Sequence, residues 1–215
     1  MSGLLLIGGG GHCLTVIDSL ISKKYSNIGI IDKQEKFGQE VGGIPIIGCD
    51  SDLESLRLNY DEAFISMGGI EDLWKRKEKA QILENKAYSF ATVIHPTAIV
   101  SKSSSIAHGV FIGPLVVVNA QTKIGEFCIL NSNCVVEHQC DIGSFTHIAP
   151  GAVLCGNVSI GKASFIGTGS VIMQGVSIGD NVIIGIGSVI VNDIPDNVVA
   201  YGNPCRIVSE RTSNG

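Results

Sequence analysis

The chain has 215 residues, 45% of them hydrophobic and 16% charged, with a formal net charge of −5. That composition suits a globular protein with ample material for a core, and the negative balance, with no dense Lys/Arg cluster, excludes a nucleic-acid partner. The apolar run at residues 4–7 is too short to span a membrane and lacks the basic start and cleavage site of a secretory signal, so a cytoplasmic location is expected.

Residues 3–93 read as alternating strands and helices. A buried strand at 4–7 precedes Gly8-Gly9-Gly10-Gly11, followed by a helix at 14–21 and a second strand at 28–31. Another strand is expected at 63–66 and another helix at 73–83, giving an α/β unit with a parallel sheet. A glycine run between first strand and first helix is where a Rossmann-like unit brings phosphates against N–H groups at a helix N-terminus. The same run also serves a tight turn, and Cys13 replaces the third glycine of GxGxxG. Asp32 follows the second strand where such units set an acid against a nucleoside, or else it is a solvated strand-end aspartate. His12 either caps the helix or touches a ligand. The stretch at 41–48, VGGIPIIG, reads as a loop with a short strand, its glycines admitting a planar base or simply permitting the turn.

From Ile94 to Ile190 every sixth residue is Ile, Val or Leu, seventeen times without an insertion. A period of six matches neither a helix nor simple alternation; it marks a parallel β-helix, with short strands wound round a prism and stacked coil on coil. The fourth residue after each aliphatic one is small or short in every hexad but the last, Ile194, as expected where both share a narrow interior. Gly, Asn and Asp fall at the turns, where φ > 0 is required. Three hexads make a coil of eighteen residues, so seventeen give between five and six coils, roughly 27 Å tall at about 4.8 Å each. Periodicity leaves the hand open, although the usual crossover rule favours the right-handed form. Of the seven cysteines, Cys128, Cys134 and Cys140 occupy interior positions as small hydrophobes, and neither a disulfide framework nor a CxxC pair is present.

A Rossmann-like domain over 1–93, a solenoid over 94–215 and the closing Tyr201-Gly202-Asn203-Pro204-Cys205-Arg206 together resemble the hexapeptide-repeat acyltransferases. More narrowly, they resemble the nucleotide-linked amino-sugar N-acetyltransferases grouped with sialic acid O-acetyltransferases. The resemblance implies a left-handed β-helix, a homotrimer, and acetyl-CoA in the groove between neighbouring prisms. It implies that a UDP- or dTDP-linked amino sugar is held through Gly10, Gly11, His12 and Asp32.

The family's catalytic histidine falls here in Val136-Glu137-His138-Gln139-Cys140-Asp141. His138 lies two places after an interior aliphatic, so its side chain is expected to project outward from a corner. An imidazole there suits attack of a sugar amine on a thioester, which needs a group that takes up a proton as the C–N bond forms. The family carries Glu or Asp after this histidine; this chain has Gln139, which can hold the ring but cannot offset its positive charge. Strand alternation argues that neither Glu137 nor Asp141 takes the acid's place. One coil further lies Gly156, whose family counterpart offers a backbone N–H to the developing oxyanion. By the same resemblance Asn131 and His147 line the acceptor site. Gly167, Gly169, Gly185 and Gly187 are expected to let pantetheine pass close to the backbone, although the turns of the fold also require glycine there, and Lys162 and Arg206 are expected to meet CoA phosphates. Transfer is expected to be direct, because the interior cysteines point away from substrate. His95 and His108 have no family match.

Three alternatives remain at this stage. Sialic acid O-acetylation needs the same base but no nucleotide pocket. Trimeric β-helices of this type also hold zinc in carbonic anhydrases, for which His108, His138 and His147 are the candidates. A non-catalytic scaffold is the third.

Overall fold

The structure, a computed structural model, describes residues 3–20, 25–69 and 73–211, with the side chains of Leu73 and Trp74 excluded. The chain divides into two compact units at the Val93–Ile94 junction.

In the first unit, β1 (Gly3–Ile7) is buried at every position and pairs in parallel with β2 (Asn27–Ile31) on one side and β5 (Glu62–Ile65) on the other. The sheet order is β3-β4-β2-β1-β5-β6, where β3 is Glu40–Val41, β4 is Ile44–Gly48 and β6 is Ser89–Phe90. The chain moves one way from β1 to β2 and returns to the other side of β1 for β5. The C-terminal ends of β1 and β5 therefore form a switch point, the place where open α/β sheets leave a crevice for ligands. Helix α1 runs over Gly11–Ser19, starting three residues before the expected Leu14 because Gly10, in extended backbone, serves as N-cap and accepts the Cys13 N–H. The expected last residue, Ile21, lies outside the described residues. Residues 41–48 contain the expected short strand: Gly42 and Gly43 make the turn out of β3, and β4 pairs antiparallel with β3 and parallel with β2. Helices α2 (Leu53–Leu56) and α3 (Leu73–Asn85) complete the unit. No helix among the described residues is long and apolar enough to cross a membrane.

The second unit is the expected parallel β-helix. Its hexad strands, two residues each, fall into three sheets containing six, six and five of them, and partners in a sheet are eighteen residues apart, as in Val135↔Val153 and Val136↔Leu154. The repeat positions from Ile112 to Ile190 form one continuous buried cluster. The first coil is less buried, because only one neighbouring coil stacks on it: Val100 and Ile106 are half-buried and Ile94 is 41% exposed. At the other end Ile194 is buried and bridges to Ile178. The strands Val198–Gly202 and Cys205–Glu210 form an antiparallel hairpin that continues the first sheet.

Two details hold coil to coil beyond the strand ladder. From Ile106 to Ile184 the third residue after each aliphatic one adopts left-handed backbone whether or not it is glycine: Leu115, Gln121, Phe127, Asn133, Gln139, Phe145, Asn157, Ala163 and Asn181 have φ between 52° and 63°. The sequence leads one to expect Gly, Asn or Asp at such turns; larger residues are tolerated because their N–H groups bond to the previous coil, Gln139 to Ala120 O and Asn133 to Pro114 O, at 2.9 and 2.8 Å. Inside the prism, the polar residue at the fourth place donates to the carbonyl fifteen residues on. Thr122 bonds Glu137 O, Thr146 bonds Gly161 O, Ser164 bonds Gly179 O and Ser170 bonds Gly185 O, at 2.7–3.0 Å. Cys128 and Cys140 do the same with thiols toward Gly143 O and Cys155 O. Burial pushes the Cys134 thiol up to about 12, so this thiol stays protonated and inert.

Thr146 also accepts the Ser164 N–H. Thr146→Val keeps the shape but removes the hydroxyl from both buried partners, and is expected to cost about 1–3 kcal/mol in denaturant unfolding. A Thr146→Ser variant, which keeps the hydroxyl, is expected to recover most of the polar part of that loss.

Candidate functional site

The glycine run divides by role. Gly8 has φ 101°, which a side chain rarely adopts, and Gly9 lies tightly against Asp32, Val41 and Ile30. Gly10 and Gly11 have neither constraint: a Cβ added at either meets nothing within 4 Å. These two glycines stand at the start of α1 without a packing reason, which leaves room for close approach of a ligand to the helix N-terminus.

Asp32 is largely committed to the protein. Its Oδ2 accepts the Gly9 N–H at 2.8 Å and the Lys36 ammonium at 2.9 Å, and its Oδ1 accepts the Lys33 N–H at 2.7 Å. Burial alone would raise its pKa; the Lys36 ammonium and the Lys33 and Gly9 N–H groups outweigh it and hold the carboxyl below the ordinary aspartate range. Asp32 thus fastens the glycine loop while still lining a cavity of about 510 Å³ over the sheet's C-terminal edge. Gln34, Asp50, Met67, Lys75 and Lys79 line the same cavity, and Lys79 is paired with Asp50. None of these five was singled out from sequence, because they come from separate strand ends and from α3 and share no motif. The only hint lay in the i, i+4 lysines.

His12 packs its side chain against Gly68, with Nε2 shielded from solvent. Burial first, and the nearby Arg76 charge second, push its pKa down to about 4, so at neutral pH it is an uncharged imidazole.

On the solenoid, His138 is exposed at a corner following the strand Val135–Val136, and Gly156 occupies the equivalent corner one coil on, after Val153–Leu154. The imidazole lies over Gly156: a Cβ there would sit 2.5 Å from Cε1 and 2.6 Å from Nε2 of His138. The neighbouring Cys155 and Asn157 N–H groups are used by Ile172 O and His138 O, whereas the Gly156 N–H at the corner takes no part in that ladder. The His138 Nδ1 is 3.2 Å from Gln139 Oε1. Glu137 is engaged with another partner, its Oε2 accepting from Asn119 Nδ2 at 2.9 Å.

The remaining candidates lie elsewhere on the prism. Asn131, Gly167 and Gly185 follow strands of the first sheet, so they line a different edge from His138, which follows the second; Lys162 follows the third. His147 lies within a strand of the first sheet, only 5% exposed, its ring edge-to-face on Phe165 and its Nε2 3.3 Å from Asn131 Nδ2. Lys162 is exposed, and its backbone N–H donates to Asp180. Arg206 is on the closing hairpin, its guanidinium donating to Cys205 O. A single chain therefore brings His138, Gln139 and Gly156 together, and separately Asn131 with His147, but does not unite the two groups. Among the described residues no three His, Cys, Asp or Glu side chains lie together as a metal cluster.

The depressed His12 value has a consequence for stability. An unfolded histidine titrates near 6.5, so the contribution of the buried neutral ring is fully present above that pH and is lost as pH falls toward 4. Between those limits the native protein is expected to lose about 2–3 kcal/mol more than a His12→Asn variant, measured by urea unfolding at each pH.

Residues 3–83 match the PglD N-terminal domain family, and residues 121–156 match the bacterial transferase hexapeptide family of six repeats. Comparison with curated protein sequences gives no significant match. Among solved structures, PerB from Caulobacter crescentus in complex with CoA and GDP-perosamine is 35% identical over 97% of this chain and 98% of its own, with a TM-score of 0.91. A histidine-to-alanine variant of GDP-perosamine N-acetyltransferase from the same organism is 34% identical over 98% of both chains, also at 0.91. The acetyltransferase domain of PglB from Neisseria gonorrhoeae FA1090 in complex with acetyl coenzyme A is 33% identical over 96% of this chain and 98% of its own, with a TM-score of 0.89. A Rossmann-like unit with an open helix N-terminus, followed by a left-handed hexapeptide β-helix, places the chain in the family of nucleotide-sugar N-acetyltransferases, as an acetyl-CoA-dependent sugar N-acetyltransferase.

Proposed function

We propose that the protein acetylates the amine of a nucleotide-linked 4-amino-4,6-dideoxy sugar by direct transfer from acetyl-CoA, with His138 as the general base. The observation that carries this reading is the exposed imidazole resting on Gly156, one coil away and free of any side chain. The amine nitrogen attacks the thioester carbon as its proton passes to His138 Nε2; the Gly156 N–H supports the oxyanion. The C–S bond then breaks, the acetyl group remains on nitrogen as an amide, and the proton reaches the CoA thiolate. No acyl-enzyme is needed, and the inward thiols of Cys128, Cys134 and Cys140 are in no position to form one.

The nucleotide is assigned to the first unit, its phosphates against the N–H groups at Gly10 and Gly11 and its nucleoside in the cavity beside Asp32. His12 enters that site as a neutral hydrogen-bonding group. UDP and dTDP were the nucleotides expected from the sequence; GDP joins them because two of the relatives hold GDP-perosamine, a nucleotide-linked amino sugar. Acetyl-CoA is assigned to the glycine-rich edge at Gly167 and Gly185, with Arg206 as the phosphate partner. Lys162, on the third edge, would reach a CoA lying there only in an assembly. The same argument favours a homotrimer: with His138 and Gly156 on one edge and Asn131, His147, Gly167 and Gly185 on another edge and its sheet, a complete site needs a neighbouring prism. Neither zinc hydration nor a passive scaffold has a supporting observation beyond those weighed from sequence.

With acetyl-CoA and a panel of UDP-, dTDP- and GDP-linked amino sugars, free thiol release is expected for at least one acceptor, and His138→Ala is expected to lower kcat/KM by about 10²–10⁴. Gly10→Val is expected to weaken nucleotide binding in calorimetry while leaving the fold intact. Turnover with free sialic acid but with no nucleotide sugar would replace this reading by O-acetylation, and undiminished turnover in His138→Ala would remove the base.

A further inference from the structure

The residue that follows His138 is an amide, and the geometry around it is specific. Gln139 sits in left-handed backbone at φ 61°, its N–H bound to Ala120 O of the preceding coil. That corner turns its side chain back along the chain, so that Oε1 lies 3.2 Å from Nδ1 of His138. An amide oxygen in that place accepts the Nδ1 proton, which leaves the lone pair on Nε2. The opposite amide orientation would put an N–H against Nδ1 and the ring proton on Nε2, a form that cannot act as a base at that atom.

We infer that Gln139 is a positioning residue: it fixes the His138 tautomer with Nε2 available, and it supplies that bond without the negative charge that a carboxylate would bring. This rests on the reading of His138 as the base. The charges around the ring are consistent with an uncompensated site. Glu137, the preceding residue, is engaged with Asn119; the previous coil presents Asn119 and Ala120, both uncharged; the next coil presents Gly156, flanked by the Cys155 thiol; Asp141 is exposed in the following strand. Among the described residues no ion pair reaches the imidazole. A carboxylate at 139 would favour imidazolium, so a variant carrying one needs a higher pH before Nε2 is free to take the amine proton.

The test is the pH dependence of kcat/KM in the full-length protein, followed by thiol release with whichever nucleotide amino sugar is turned over. Gln139→Glu, of the same length and with the same acceptor atom, is expected to move the acidic limb up by about one pH unit while keeping its plateau within about threefold of the native enzyme. Gln139→Leu, which fills the same space without an acceptor, is expected to lose about tenfold in kcat with the KM for acetyl-CoA unchanged. A Gln139→Glu limb superimposed on the native one, or full kcat in Gln139→Leu, overturns the inference. If His138→Ala is inactive in the same assay, such a result removes the positioning role alone; if His138→Ala retains full activity, the base assignment falls with it. Circular dichroism and nucleotide binding by each variant identify loss through misfolding, and Gln139→Glu still decides the matter where Gln139→Leu fails to fold.

Discussion

The stacking of one coil on the next, eighteen residues later, is the constraint on which the solenoid and its chemistry depend. Parallel ladders set the separation between coils at about 4.8 Å, and the interior hydroxyls and thiols fasten carbonyls that the ladder does not use. Two of these fastenings lie directly behind the site. Thr122 holds the carbonyl of Glu137, just before His138, and Cys140 holds the carbonyl of Cys155, just before Gly156. The proposed base and the proposed oxyanion donor are thus positioned from inside the prism, on rigid backbone rather than on a mobile loop, which lowers the reorganisation needed at reaction.

The first unit follows a different logic. Its sheet supplies a switch point, and Asp32 ties the glycine loop across it, so that Gly10 and Gly11 are left open at a helix N-terminus. Binding and chemistry are in this way assigned to separate architectures: an adaptable crevice formed by loops at strand ends, and a fixed pair of corners on a repeat. On the proposed function, the crevice carries the specificity for base and nucleotide, while the corners carry the bond-making step that any acceptor amine requires.

The solenoid was legible in the sequence because its period is physical: an interior residue every sixth position has no other way to be arranged, and the outward direction of His138 followed from its phase. The left-handed corners at Gln139, Phe127 and Phe145 were not legible, since local propensity disfavours them and only hydrogen bonds from the previous coil sustain them. Ile94 kept the repeat but not the burial, because a first coil has one neighbour instead of two. In the first unit the glycine run and Asp32 could be found by motif, but the role of Asp32 as a loop fastener needed its three donors to be seen. The lining from Gln34, Asp50, Met67 and the two lysines had no local pattern at all. Spacing of nine residues between His138 and His147 already spans half a coil, and the three sheets show what that means: the two histidines belong to different sides of the prism.

The eighteen-residue register between His138 and Gly156 also bears on how such a sequence can drift. An inserted or deleted residue anywhere between them rotates every later position out of phase, exchanging inward for outward side chains and carrying the glycine off the imidazole, unless the change is looped out whole at a corner. Length variation is therefore best accommodated in the strand-end loops of the first unit and in protrusions from the prism's edges, which on the proposed function leaves acceptor preference free to diversify while the transfer step stays locked in frame.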